Sequence, residues 1–452
     1  MLAIERRSFL KAGMLGMAGL SLADLLRTES KAAAAGKLIT SKQNSVIILW
    51  MRGGPSQHET WDPKPEAPEE YRGGLGAMPT NVPGIQICDL LPKSAAIMDK
   101  WSIIRSLHHK DAGHSSGDQI MFTGYPAMPN PSPEGPGNTM PCCGSVVAKM
   151  MEKSGSQLPP YVMIPKMVPG TGAGFLGHAF DPFETMADPA NPGAFQIPNL
   201  SPASGISLQR IADRRSLVSA FDQMRKQVDA SGTMEAMDSF DQAAWDLTSG
   251  SKARDAFDLD AEPMKLRERY GMMPAFKAPT PDRCGVPAWS QRMLLARRLV
   301  EAGVRLVTVD LRWWDTHVEG FDTMKNGFLP RWDRAYSALI EDLHDRGMID
   351  TTMVIAWGEF GRSPKVNAQR GRDHWPNVFS AALAGGGIQG GRVIGSSDSL
   401  GGEPDDNPKT PQDVLATMYR HLGIDPSVTF EDHGGRPHPI LPSGSPIEEL
   451  FG

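Results

Sequence analysis

Short apolar runs recur along the chain, and most stop abruptly at glycine, carboxylate or histidine. Ser45-Val46-Ile47-Ile48-Leu49-Trp50 is continuous in the way of a strand buried on both faces, and it ends in Gly53-Gly54-Pro55-Ser56. Trp101 to Ser106 and Tyr161 to Ile164 predict two more strands, with a helix from Cys143 to Lys153 between them. Val304 to Leu311 and Thr351 to Trp357 predict strands in the last third. Helical spacing marks Gln291 to Glu301, stopped at Gly303, and Trp332 to Arg346, stopped at Gly347. The second of these puts Trp332, Tyr336, Leu339, Ile340 and Leu343 on one face. Pro411 to Leu422 predicts a last helix, closed by Gly423. Helices and strands alternating through short connections predict an α/β fold: a doubly wound, mostly parallel sheet with helices on both faces. Right-handed crossovers then bring the loops after Leu311 and Trp357 to one sheet edge.

Two segments break the pattern. From about 201 to 271 the sequence turns charged and helix-forming with few strand signals, which predicts a helical insertion placed to cap a site. Residues 1–36 read as an address rather than structure. Glu5-Arg6-Arg7-Ser8-Phe9-Leu10-Lys11 carries paired arginines, a mildly apolar stretch runs from Met14 to Leu26, and Ala32 to Ala35 follow. That order predicts twin-arginine export to a periplasmic or extracytoplasmic space, with cleavage near Ala33 to Gly36. The apolar stretch is too short to span a bilayer and contains Asp24, so membrane contact is expected only through the export signal. Residues 37–452 are expected to form one domain. The formal net charge of -6 argues against nucleic acid as a partner, and 47 Gly with 38 Pro predict a loop-rich chain. Cys88, Cys142, Cys143 and Cys284 leave open one disulfide, from Cys142 or Cys143 to Cys88 or Cys284, or four buried thiols.

Candidate chemistry gathers just past the strand ends, where the loops of an open α/β sheet converge. Asp315 and His317 follow Trp313-Trp314, one residue apart, and strand-like alternation would point both at one cation. Glu359 stands at the next strand end and His374 in the loop beyond it. Carboxylate and imidazole together suit a divalent metal ion, Zn²⁺ first, with Ca²⁺, Mn²⁺ or Mg²⁺ admissible. Arg362 reads as a clamp for a tetrahedral anion or as a surface ion pair. His108, His109, Asp111, His114, Ser115, Ser116 and Asp118 crowd one segment, in a chain with only 11 His. There Ser115 or Ser116 could be a metal-activated nucleophile and His114 a ligand or general base; polar loop residues with a helix-capping serine are the plainer reading. His58, Glu59 and Asp62 in the first strand-end loop could reach the same place. That loop lacks the Walker lysine pattern.

Together these motifs resemble the exported family known as domain of unknown function 1501. The matching segments are Arg6-Arg7-Ser8-Phe9-Leu10, Gly53-Gly54-Pro55-Ser56 with Asp62-Pro63-Lys64-Pro65, His114 with Thr123-Gly124, Trp314-Asp315-Thr316-His317, Gly358-Glu359-Phe360-Gly361-Arg362, Gly371-Arg372-Asp373-His374-Trp375, and Asp413 with Leu422-Gly423-Ile424-Asp425. That family in turn resembles the alkaline phosphatase and sulfatase superfamily. Phe122 to Pro126 looks like the segment after a sulfatase nucleophile, Asp315 and His317 like its metal pair, and Glu359 stands where an Asp is usual. The chain departs from that pattern at Met51 and Arg52, where a metal-binding Asp is usual, at Phe360, at Glu59, and at His114, which takes the nucleophile position. The resemblance implies a metal-dependent hydrolase of sulfate or phosphate esters, acting on a small-molecule or polysaccharide ester. Asp315, His317 and His374 would hold one metal, with Glu359 as a further ligand. Arg362 would hold the anion, and His114 would serve as acid or base beside a bound water, Ser115 or Ser116. The alternative is a non-catalytic periplasmic binding or assembly protein on the same fold.

Overall fold

Eight runs pair into one sheet: β1 (Ser45–Trp50), β2 (Trp101–Leu107), β3 (Tyr161–Ile164), β4 (Phe183–Glu184), β5 (Leu306–Asp310), β6 (Thr352–Trp357), β7 (Phe379–Ala384) and β8 (Val393–Ile394). Their order is β8-β2-β7-β6-β1-β5-β3-β4. The structure, a computed structural model, describes residues 44–127, 139–151, 158–168, 172–191, 195, 197, 251–272 and 289–452. The expected export signal and residues 201–250 of the expected insertion lie outside the described residues.

Register explains why the functional residues meet. β1 lies between β5 and β6 and is parallel to both, so Trp50 pairs with Asp310 on one side and Trp357 on the other. The three carboxyl ends are level, and the residues after them leave the sheet together. β7 runs antiparallel to β6 and β2 and is the one reversed strand of the sheet. Its first residue, Phe379, therefore sits at that same edge and delivers the segment before it. The sheet is mostly parallel, as the alternation of helix and strand predicts.

Both faces are covered. Ile47 and Leu49 pack into one apolar layer with α5 (Ser290–Ala302) and α6 (Leu329–Asp345). Val46, Ile48 and Trp50 point the other way, into a layer with α1 (His114–Thr123), α2 (Cys143–Met150) and α7 (Pro411–Leu422). Period-2 alternation in a run apolar throughout is what a strand buried on both faces requires. β5 starts at Leu306 rather than Val304, because the Val304 amide still donates to Leu299 O and finishes α5 around left-handed Gly303.

The described end of the charged segment is helical, as expected: α3 (Ser251–Phe257) and α4 (Met264–Tyr270). Phe257, Leu259 and Tyr270 join the layer of α5 and α6, and buried Arg297 of α5 pairs with Glu262 at 2.6 Å and Asp342 at 2.9 Å. This part lies against the helices on one face of the sheet. Cys88, Cys142 and Cys143 are buried free thiols, which closes the disulfide alternative for these three; Cys284 lies outside the described residues. Among the described residues no helix is long and apolar enough to cross a membrane.

Two glycines with the same left-handed backbone test this packing. Gly347, after α6, has φ +67° and open space where a Cβ would go, whereas Gly385, after β7, has φ +68° and Thr352 O 2.1 Å from that position. Gly347→Ala is expected to cost about 1 kcal/mol, the left-handed penalty alone. Gly385→Ala should cost about 3 kcal/mol, because backbone must move as well. Urea unfolding of both variants checks this, and equal midpoint shifts would contradict the packing.

Candidate metal centre

Four segments converge at the carboxyl edge of β1, β5 and β6. The segment after β5 carries Asp315 and His317, that after β6 carries Glu359 and Arg362, and the first turn of α1 carries His114. His374 precedes β7 and is held opposite Arg362 in a two-residue antiparallel ribbon, Gly361–Arg362 against His374–Trp375. Asp315 and His317 do converge, but through tight turns rather than strand alternation. The Thr316 amide donates to Trp314 O at 2.9 Å and the His317 amide to Asp315 O at 3.1 Å.

Each imidazole is oriented by an acceptor on its Nδ1. His374 Nδ1 donates to Ala112 O at 2.7 Å, His114 Nδ1 to Glu359 Oε1 at 2.6 Å, and His317 Nδ1 to Asp373 Oδ1 at 3.3 Å. A carbonyl can only accept, so the proton of a neutral His374 ring sits on Nδ1. All three rings thereby turn Nε2 toward Asp315. His317 Nε2 and His374 Nε2 lie 2.9 and 3.1 Å from Asp315 Oδ1, and His114 Nε2 lies 3.2 Å from Asp315 Oδ2. The Nε2 atoms of His317 and His374 are 3.0 Å apart.

Lone pairs facing one another and a carboxylate repel unless a positive charge sits among them. A proton is one solution. Burial disfavours a charged His114, but hydrogen bonds to Asp315 and Glu359 and their charges outweigh it and hold its pKa at about 9. The Asp315 hydrogen bond likewise raises His317. Burial pushes Asp315 upward, yet the three imidazoles and Arg362 hold it far below the usual carboxylate range.

A metal ion is the other solution. One ligand atom each from His114, Asp315 and His374 lies within 4.8 Å of the others. Tetrahedral Zn²⁺, with bonds of roughly 2.0–2.1 Å, sets its ligands about 3.4 Å apart, close to the 3.1 and 3.2 Å that separate Asp315 from the two rings. The Nδ1 acceptors are the outer partners that metal-binding histidines use. Side-chain exposure rises from 6% at Asp315 and 14% at His114 to 21% at His374 and 28% at His317, so the centre opens to solvent on one side.

Four expected residues are placed differently. Glu359 is fully buried, and its carboxylate takes the Gly53 amide at 2.8 and 3.0 Å besides His114. It orients an imidazole instead of standing among the ligand atoms. Arg362 is also fully buried. Its guanidinium donates to Gly53 O, Gly54 O, Trp314 O, Arg372 O and Asp315 Oδ1, the last at 2.6 Å, and reaches His317 Nε2 at 3.4 Å. Its donors are spent inside the protein, so it bolts the loops together where a clamp for an outside anion was expected. Ser116 donates to Asp111 Oδ1 and Gly113 O, while Ser115 makes no hydrogen bond to the centre. Both sit in the first turn of α1 rather than in a loop.

The first strand-end loop stays out of the centre. Glu59 pairs with buried Arg372 at 2.8 Å, Asp62 accepts from Ser397, and His58 meets Leu400 O at 2.8 Å. Gly53, with φ +109°, earns its place by proximity, since a Cβ there would lie 2.4 Å from Trp314 N. Arg52, at the position where the resemblance implies a metal-binding Asp, donates to Asp118 Oδ2 at 2.8 Å. Burial raises Asp118, and despite Arg52 its pKa stands at about 7. Phe360 packs against the His374 ring with centroids 4.4 Å apart. Sequence reasoning passed over Ala112 and Asp373 as ring-orienting acceptors. A backbone carbonyl leaves no sequence signal, although Asp373 stood beside His374 in a quoted motif.

The chain belongs to the family described as protein of unknown function (DUF1501), whose profile matches residues 43–451. No curated protein matches it. Similar solved structures include a 2-O GAG sulfatase, at 12% identity and TM-score 0.38, covering 91% of this chain and 75% of that one. The PsFucS1 sulfatase from Pseudoalteromonas sp. is 11% identical with TM-score 0.33, covering 88% and 72%. A phosphonate monoester hydrolase from Silicibacter pomeroyi is 11% identical with TM-score 0.33, covering 91% and 77%. At these values none of the likenesses bears on the chemistry of the centre.

If Arg362 is a bolt, charge alone does not replace it. Arg362→Lys keeps the charge but loses the planar fork and is expected to destabilise the protein by about 3 kcal/mol in urea unfolding. Wild-type stability in this variant would show that a positive charge alone is enough there.

Proposed function

We propose that this chain is a metal-dependent hydrolase of sulfate or phosphate esters, exported by the twin-arginine route to the periplasm. One observation carries the reading: three imidazoles, each with Nδ1 engaged by an acceptor, aim Nε2 at one buried carboxylate that opens to solvent on one side. His114, Asp315 and His374 would hold the ion, with His317 beside them and Arg362 Nη1 competing for its Nε2. A divalent ion there, Zn²⁺ before Ca²⁺, Mn²⁺ or Mg²⁺, would polarise the ester and lower the pKa of a water.

The protein's own groups would do the rest. The first-turn amides of α1 have no intrahelical acceptors and favour an anion beside His114. His317, the most exposed of the three rings, is placed to pass a proton to the departing group while Asp373 steadies its Nδ1. With Ser116 committed to Asp111 and Gly113, water is the nucleophile this arrangement supports. Arg52, paired with Asp118 where the superfamily places a metal ligand, favours one ion over two.

The second reading is a non-catalytic periplasmic binding or assembly protein. Arg362 favours it, because its donors are spent within the protein and none is left for a substrate anion.

Metal removal separates the two. Zinc-loaded protein should hydrolyse 4-nitrophenyl sulfate or phosphate, and chelator-stripped protein should lose at least about 100-fold in kcat/KM. His374→Ala should lose metal in elemental analysis while its circular dichroism is kept. Equal activity with and without metal would refute the metal mechanism. No hydrolysis with any of the four ions would favour the binding protein.

A further inference from the structure

Next to the centre stands an arginine whose guanidinium is anchored at one end only. Arg312 donates through Nε to Asp310 Oδ2, and its amide donates to Asp310 Oδ1 at 3.0 Å. Asp310 is 2% exposed, so the anchor is fixed. Neither Nη1 nor Nη2 of Arg312 has a hydrogen-bond partner among the described residues, and the side chain is 28% exposed. Held at Nε, the fork presents its outer N–H groups to solvent in a set direction. That differs from Arg362, which has no donor to spare.

Its neighbour links it to the imidazoles. Trp313 is partly exposed; the Arg312 guanidinium carbon lies 5.5 Å from the Trp313 ring centroid, and the His114 ring lies 5.5 Å from it on edge. Arg52 covers Trp313 at 4.3 Å and is itself tied to Asp118. One indole thus touches both the free fork and the His114 ring. A planar fork with unspent donors matches carboxylate, sulfate or phosphate oxygens in pairs.

Resting on the metal-hydrolase reading, we propose that Arg312 and Trp313 form an anion subsite beside the reaction centre. The preferred ester then carries a second anionic group (carboxylate, sulfate or phosphate) on the part that lies across Trp313. Arg312 would act in substrate binding, lowering KM for such esters with little effect on kcat.

The test uses zinc-loaded full-length protein and aromatic carboxylates of graded span. Isophthalate and biphenyl-4,4′-dicarboxylate are titrated calorimetrically beside benzoate and biphenyl-4-carboxylate. At least one dicarboxylate should bind about tenfold more tightly than its monocarboxylate partner, as expected of a charge-assisted contact near the surface. Arg312→Gln should erase that preference with zinc content unchanged, and Arg312→Lys should keep part of it. No preference at any span, or one that survives Arg312→Gln, overturns the subsite. Loss of zinc in Arg312→Gln overturns it too, since the residue would then act through the centre. A second arm compares 4-nitrophenyl phosphate with its 3-carboxy analogue, where KM should fall about tenfold in the wild type only. Absence of hydrolysis would defeat the hydrolase reading while leaving the binding result to stand by itself.

Discussion

Asp315 is the carboxylate on which the edge of this sheet is organised. A buried carboxylate is tolerated only when its charge is met and its lone pairs are taken. Asp315 meets both conditions through Arg362 and three imidazoles, which arrive from the segments after β5 and β6, from α1, and from the segment before β7. Those contacts define where each loop must go. Arg362 passes the constraint outward by gripping the backbone at Gly53, Gly54, Trp314 and Arg372. Glu359 passes it to Gly53 and His114. Bulk at Gly53 would force Trp314 and Asp315 away, so the first strand-end loop answers to the carboxylate as well.

The charges around Asp315 do not cancel without help. Arg362 answers Asp315, and Arg52 answers Asp118. Glu359 has only the Gly53 amide and His114, so a positive charge on or near His114 is required. A proton supplies it in the metal-free protein. A divalent ion would supply it as well, and would use the same Nε2 lone pair that the proton occupies. The two therefore exclude each other at His114, so uptake of a metal ion there would release a proton. This is also why the Nδ1 partners matter: a ring held at Nδ1 can exchange a proton for a metal at Nε2 without turning.

Much of the fold was legible because strands buried on both faces and glycine-stopped helices leave strong marks. The bounds of β1, β3 and α7 follow directly from apolar runs and stop residues. The reversal of β7 was not legible, because Phe379 to Ala384 reads alike in either direction and only pairing settles its sense. At the centre, residue types were readable and roles were less so. Asp315, His317 and His374 are brought together as their positions past strand ends suggest. Glu359 and Arg362 stand at the right place in sequence but face inward, and that depends on amide and carbonyl groups of Gly53 and Gly54 that no side-chain pattern reports. Likewise His58, Glu59 and Asp62 look like site residues, since a buried structural ion pair such as Glu59 with Arg372 uses the same chemistry as a ligand set.

Arg52 places a fixed positive charge at the first strand's end. Its guanidinium fills the space beside Asp118 and beneath Trp313, at the first strand's end. A fixed positive charge there does the electrostatic work that a second ion would do, but it offers no open coordination position and no water. It also repels a second divalent ion placed close by. With Arg52 in place, any metal-dependent chemistry would fall to the position framed by His114, Asp315 and His374. The same guanidinium supports Trp313, and Trp313 separates Arg312 from that position. Arg52 thus ties Asp118 to the indole beside which a second anionic group would rest.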